Sequence, residues 1–241
     1  MLNLRIAGIA FAATLLLGTA GLNATPVVFS GSSGSLAASV SFQVVGSELI
    51  VQLTNTSLFD VLVPSDVLTA VFFDVEAAPM FTRNNVQVGN GSSVLFGGMD
   101  SMGLIGGEWA YLGGSVTQGI SSAGLGLFGP GNAFPGGDRS RPNSPGGIQY
   151  GITSAGDNPL TGNKRVTGAQ PLIKSSVSFS LGGVSQGFSE SDISNVRFQY
   201  GADLAEPSFG GEVPEPSSAL FATIGVVAIV IGRLRRRRVA R

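Results

Sequence analysis

From Leu36 to Val45 apolar and polar side chains alternate one for one. Ala38, Val40, Phe42 and Val44 fall on one side, and Ser39, Ser41 and Gln43 on the other. A period of two is the repeat of an extended strand with one buried face, and a helix has no use for it. The pattern returns at Leu49, Val51 and Leu53, across Gly46-Ser47, which reads as a hairpin turn. It returns again where Ile173, Val177, Phe179 and Leu181 alternate with Lys174, Ser176, Ser178 and Ser180, and where Val196, Phe198 and Tyr200 alternate with Arg197 and Gln199. Val67 to Val75 is instead a nearly continuous apolar run, the mark of a strand covered on both faces. Trp109 and Tyr111 share a face of one more short strand. No helical period competes between Thr25 and Gly211, so residues 25–211 are predicted to form an all-β, antiparallel sandwich-like domain.

Residues 113–168 have a different texture, rich in glycine, proline, serine and asparagine. Leu125, Leu127, Phe128, Phe134, Ile148, Tyr150 and Ile152 are scattered through them and would be costly to leave in water, which predicts ordered long loops. Gly119-Ile120-Ser121-Ser122-Ala123-Gly124 is echoed by Gly151-Ile152-Thr153-Ser154-Ala155-Gly156, too few copies for a solenoid.

Composition removes much chemistry. The chain has no cysteine and no histidine, which excludes disulfides, thiolate and imidazole catalysis and the usual zinc and haem sites. The net charge of −1 hides an asymmetry: six of the 14 basic residues lie in the last nine positions, while all 15 acidic ones lie between Glu48 and Glu215. An acidic, lysine-poor body argues against nucleic acid as a partner, because binding there requires a basic face that displaces counterions.

Both ends read as addresses. Arg5 precedes an uncharged run from Ile6 to Leu17, and small residues follow up to Ala24. A basic start, a short apolar region and a small-residue exit make residues 1–24 a secretory signal peptide, cleaved after Ala24 or, as second choice, Ala20. Its partner would be the export translocon. At the other end, residues 217–232 are uncharged and reach about 24 Å as a helix, at the lower edge of what spans a bilayer. Arg233, Arg235, Arg236, Arg237 and Arg238 follow and stay on the cytoplasmic side. The first segment sends the body outward and the second stops transfer with its end inside.

The junction is Val213-Pro214-Glu215-Pro216-Ser217. With the apolar segment, the arginine cluster and the signal peptide in that order, residues 212–241 resemble the PEP-CTERM sorting tail of exported Gram-negative proteins. The resemblance implies an exosortase-type membrane protease as partner and processing near Pro214–Ser218, with no activity for the body. The prolines forbid helix at the junction and keep it extended. Thr54-Asn55-Thr56-Ser57, Asp66 through Asp74, Gly107-Glu108-Trp109-Ala110-Tyr111 and Ile193 through Gly201 resemble exosortase-dependent surface proteins of one PEP-CTERM group, which carries no known activity either.

Other candidate chemistry is thin. Gly124-Leu125-Gly126-Leu127-Phe128-Gly129 matches a dinucleotide-binding pattern, but Pro130-Gly131-Asn132 follows where a helix must start. Lys164 and Lys174 lie in no Ser-x-x-Lys motif. Asp74 with Glu76, and Glu108 beside Trp109, are the carboxylates that a glycosidase would need; a solvated strand end and an acid at the rim of an aromatic core are the plainer readings. Asp157-Asn158 sits in a loop of calcium-binding composition without a calcium-loop pattern. Asn55-Thr56-Ser57 and Asn90-Gly91-Ser92 fit the N-glycan acceptor triplet. Trp109 and Tyr111 are the residues that would contact sugar, with core packing as their other role. The expectation is a non-catalytic exported protein without a cofactor. It is held transiently in the inner membrane and then released to the cell surface or the extracellular matrix of a biofilm, where exopolysaccharide is a partner. The alternatives are a carbohydrate-binding or carbohydrate-cleaving domain in that matrix, and a permanent membrane-anchored protein.

Overall fold

A computed structural model of the chain describes residues 25–97, 105–136 and 145–213. Thirteen strands are defined among them: β1 (Val27–Ser33), β2 (Leu36–Val45), β3 (Glu48–Asn55), β4 (Leu68–Val75), β5 (Thr82–Val88), β6 (Ser93–Leu95), β7 (Ala110–Leu112), β8 (Thr117–Ser121), β9 (Ile152–Thr153), β10 (Leu172–Lys174), β11 (Ser176–Gly182), β12 (Ile193–Tyr200) and β13 (Ser208–Gly210). Helical structure among the described residues amounts to four turns of 3-10 helix, three residues each. The expected signal and membrane helices fall outside the described residues.

The first sheet runs β1-β2-β3-β11-β5, antiparallel throughout. The alternating segments supply it directly, and Gly46-Ser47 turns β2 into β3. The second sheet runs β13-β12-β4-β9-β10-β6, and β8 and β7 also extend from β4. One pair in it departs from the antiparallel expectation: β9 and β10 are parallel, with Ile173 opposite Ile152.

The alternating apolar residues of the first sheet meet the inner residues of the second in one core. Phe42 packs edge-on against Phe73 with ring centroids 5.0 Å apart, and Trp109 meets Phe179 at the same separation. The Tyr200 hydroxyl donates across the sandwich to the Ala37 carbonyl at 3.0 Å.

The continuous apolar run of β4 has the expected cause. Val71, Phe73 and Val75 face the core, while Ala70 and Phe72 face a second cluster with Ala110, Ala123, Leu125 and Phe128. A third cluster joins Val67 and Leu172 to Val61, Ile148 and Val166. The glycine-rich region therefore forms a layer over the outer face of the second sheet through Leu125, Phe128 and Ile148, while Phe134, Tyr150 and Ile152 enter the main core. Six of its seven scattered apolar residues are buried; Leu127 is the exposed one. Gly119 makes the fit close, since a Cβ there would lie 2.8 Å from the Phe72 ring and 2.9 Å from that of Phe128.

Three points differ from the sequence reading. Residues 113–168 contain strands β8 and β9 as well as loops, and each overlaps one copy of the echo: Gly119 lies inside β8, and Gly151 immediately precedes β9. They lie in succession along one edge of β4, with Ile120 opposite Val71 and Ile152 opposite Leu68. The alternation from Ile173 to Leu181 is broken at Ser175, whose φ of 86° passes the chain from the second sheet to the first. Gln199, expected to point outward into water, is fully buried, because its side chain is bonded to the carbonyls of the turn that follows β12.

Candidate functional site

Of the residues singled out for sorting, Val213 is described and half exposed, at 49%. Pro214, Glu215, Pro216, Ser217 and the arginines from Arg233 to Arg238 lie outside the described residues. Among the described residues no helix is long and apolar enough to cross a membrane. The site open to description is the place where the tail leaves the domain.

That place is built from β12 outward. The Gln199 side chain donates through Nε2 to the carbonyls of Tyr200, Asp203 and Glu206 at 2.9, 3.0 and 3.1 Å. The Glu206 carboxylate accepts from the amides of Ala202 and, at 3.0 Å, Asp203. Together they fix the turn over 201–207 that aims β13. Two amphipathic residues inside a tight turn are a pattern that the alternation argument had no means of finding.

β13 then pairs with β12, Gly210 opposite Arg197, and Gly211 donates to the Val196 carbonyl at 2.8 Å. At Glu212 the chain changes sheet. Ser30 donates to the Glu212 carbonyl at 2.8 Å, and Glu212 donates back to Ser30 at 2.9 Å. This bridge lies on the outer edge of β1 and is antiparallel. A Cβ on Gly31 would sit 2.2 Å from the Gly210 carbonyl oxygen, so only glycine admits the approach. Backbone pairing thus reaches one residue beyond Gly211.

The aromatic residues expected to touch sugar are elsewhere. Trp109 is fully buried and Tyr111 is 2% exposed, both inside the main core, so neither ring offers a face for stacking on a sugar. The reason is packing: β7 lies against β8 with its aromatic side turned to Phe179 and Phe81. The Tyr111 hydroxyl donates to Gln118 Oε1 at 2.7 Å and accepts from the Phe81 amide at 3.3 Å. Burial pushes its pKa up to about 12. A groove of about 660 Å³ passes this region, lined by Met80, Arg83, Asn132 and Pro135 among others. Arg83 in it donates through Nη1 to the Gly131 carbonyl at 2.7 Å.

The carboxylates considered for sugar cleavage lie in different settings. Asp74 accepts from Thr117 Oγ1 at 2.6 Å and Asn195 Nδ2 at 2.9 Å, and these bonds, Thr117 first, hold its pKa below the usual range. Glu76 lies just beyond β4 in an exposed turn. Glu108 is fully buried, past the rim at which it was expected, and accepts from Gln149 Nε2 at 2.7 Å. Asp157 accepts from the Val61 amide at 3.2 Å while Asp60 accepts from Asn158 at 2.8 Å, so the two loops are stitched reciprocally. Burial raises the Asp157 pKa, whereas the Thr161 hydroxyl lowers that of Asp60. No group of three or more acidic, histidine or cysteine residues converges among the described residues.

Two further patterns resolve locally. The stretch from Gly124 to Gly129 is a turn followed by the 3-10 turn Pro130–Asn132 and opens no α-helix. Asn55 is buried and donates through Nδ2 to the Ile152 carbonyl at 3.0 Å, leaving no room for a glycan. Comparison with protein-family models, curated proteins and solved structures finds no match to this chain.

Proposed function

We propose that the chain is a non-catalytic exported protein of the cell surface or extracellular matrix, carried out by a signal peptide and sorted through a PEP-CTERM-like tail. The observation that carries this reading is the order at the end of the sequence: Val213-Pro214-Glu215-Pro216-Ser217, an uncharged span to Gly232, then the arginine cluster. In this reading the translocon exports the body, residues 217–232 hold it transiently in the inner membrane, and an exosortase-type protease cuts near Pro214–Ser218. The released domain then joins the exopolysaccharide-rich matrix.

The geometry of the domain supports such a route. The antiparallel bridge between Ser30 and Glu212 brings the beginning of β1 and the start of the tail to the same end of the sandwich. A domain flanked by two membrane segments would have to send both ends back to one surface, and this bridge is consistent with that. The sugar-binding alternative loses its stacking residues, since Trp109 and Tyr111 are buried.

Intact-mass measurement on the native product from its own cells is the test. The expected product lacks Arg233–Arg241, and a reporter fused after Arg241 stays cytoplasmic. A product that keeps the arginine cluster would refute processing and leave the permanently anchored form.

A further inference from the structure

The outward face of the first sheet carries rows of side chains that run straight across its strands. One row reads Ser41, Gln52, Ser178 and Gln87, on β2, β3, β11 and β5; the next sets Ile50 beside Ser180 and Ser180 beside Asn85. These rows hold no charged residue and no aromatic ring, although exposed faces ordinarily carry Lys, Glu, Arg or Asp. The side chains of Gln52, Asn85, Gln87 and Ser178 make no hydrogen bond to other described residues. At one margin the face becomes concave. Between the pairs of Ser180 with Asn85 and of Leu181 with Arg83, β5 has one residue too many, and that bulged residue is Asn84. Its Nδ2 donates to Glu48 Oε1 at 2.8 Å, passing Gly182, where a Cβ would come 2.7 Å from that nitrogen. Ser180 Oγ donates to Glu48 Oε2 at 2.9 Å. The carboxylate is thereby fixed at one end of a trough of about 280 Å³ that Ile50, Asn85, Gln87 and Ser178 also line.

A protein partner would need aromatic and apolar anchors, which this face does not offer. A neutral glycan needs groups that both donate and accept, and serine hydroxyls and carboxamides supply both. No lysine or arginine lines the trough, and its one charge is the Glu48 carboxylate, an acceptor for hydroxyls that repels uronate chains. We propose that the trough and the rows beside it bind a neutral polysaccharide lying across the strands, held by hydrogen bonds and not by ring stacking. Neighbouring strands stand about 4.8 Å apart, close to the advance per ring of an extended glycan, so successive side chains of a row meet successive sugars. This deepens the matrix reading above by naming the face that holds the polysaccharide, and rests on that reading only for where the polysaccharide is met.

The test uses the full chain in a zwitterionic detergent without sugar head groups, and affinity electrophoresis through gels that hold a neutral glucan, a neutral galactan, a neutral mannan or polygalacturonate. At least one neutral glycan should retard the natural chain, and polygalacturonate should not. Asn85→Ala/Gln87→Ala should weaken that retention about tenfold, as two lost hydrogen bonds do, with Tm unchanged. Lys164→Ala/Arg165→Ala, in a loop beside Val166 on the second sheet, should leave it as it was. Passage unretarded through all three neutral gels, equal retention by polygalacturonate, full retention of Asn85→Ala/Gln87→Ala, or the same loss in the lysine–arginine variant overturns the proposal. Unretarded passage together with a dimer that Ser178→Asp splits would give the face to a second copy. An uncut tail in the intact-mass measurement would sink the processing reading and leave the glycan result standing.

Discussion

On the first sheet the outward side chains Ser41 and Ser178 are half exposed and Gln52 is exposed, whereas on the second the outward Ala70 and Phe72 lie under Leu125 and Phe128. The two sheets share one core and differ in what covers their backs. A bare back produces strict alternation in sequence, while a covered back erases it and leaves a continuous apolar run. The covering layer is itself glycine-rich, because loops that lie flat on a sheet need close approach more than they need side chains.

The contrast can be broken most severely at Phe72, which is 6% exposed and carries the Arg197 guanidinium 5.0 Å from its ring centroid. Phe72→Ala should cost about 3–4 kcal/mol of stability in urea unfolding, a core-sized loss on a nominally outer face. The next largest effect is optical. All three tyrosines are buried, and Tyr111 and Tyr200 belong to strands of the second sheet. Burial raises both hydroxyl pKa values, Tyr111 to about 12. A raised folded value means that the stabilisation is complete below pH 10 and is lost as pH climbs towards 12. For Tyr111 the loss is about 2–3 kcal/mol. Phenolate absorbance should therefore appear together with unfolding in an alkaline titration, and a separate step near pH 10 in a folded chain would contradict this.

Smaller changes sharpen the comparison. Gly119→Ala pushes a methyl between Phe72 and Phe128 and should cost about 1–2 kcal/mol, read as a lowered Tm. Ser178→Ala, on the bare back, should stay within about 0.5 kcal/mol. Were Ser178→Ala to cost as much as Gly119→Ala, something would cover the first sheet too.

How much of this was legible in advance follows the same division. In the first sheet β2, β3 and β11 could be read, because Val40, Phe42, Leu49, Val51 and Phe179 keep strict phase with one buried face, whereas β1 and β5 could not. In the second, β4 and β12 could be read, and the rest only as fragments. Ser175 marks its change of sheet only as one polar residue in the apolar phase, and its positive φ leaves no trace in the letters. Thr69 and Gln199 likewise sit at a slip of register that spacing alone cannot reveal. The candidate site divides the same way. Val213 to Ser217 and the arginines are visible as letters, but Gly31 and Gly211 act through close backbone approaches to residues distant in the chain, and Gln199 through side-chain bonds to a turn that polarity does not mark. Trp109 and Tyr111 were legible as aromatics sharing a face, and the side they face was set by packing partners distant in the chain, Phe179 of β11 and Phe81 just before β5.

The bridge at Ser30 and Glu212 also sets how the domain bears load. A tether pulling on the tail would strain this single rung first, then Gly211 on Val196, then β13 on β12, one after another. Bonds loaded in series peel at low force, unlike strands sheared along their length. Tension on the tail would thus strip the last few residues while the sandwich, with its cross-sheet aromatic contacts, stays shut.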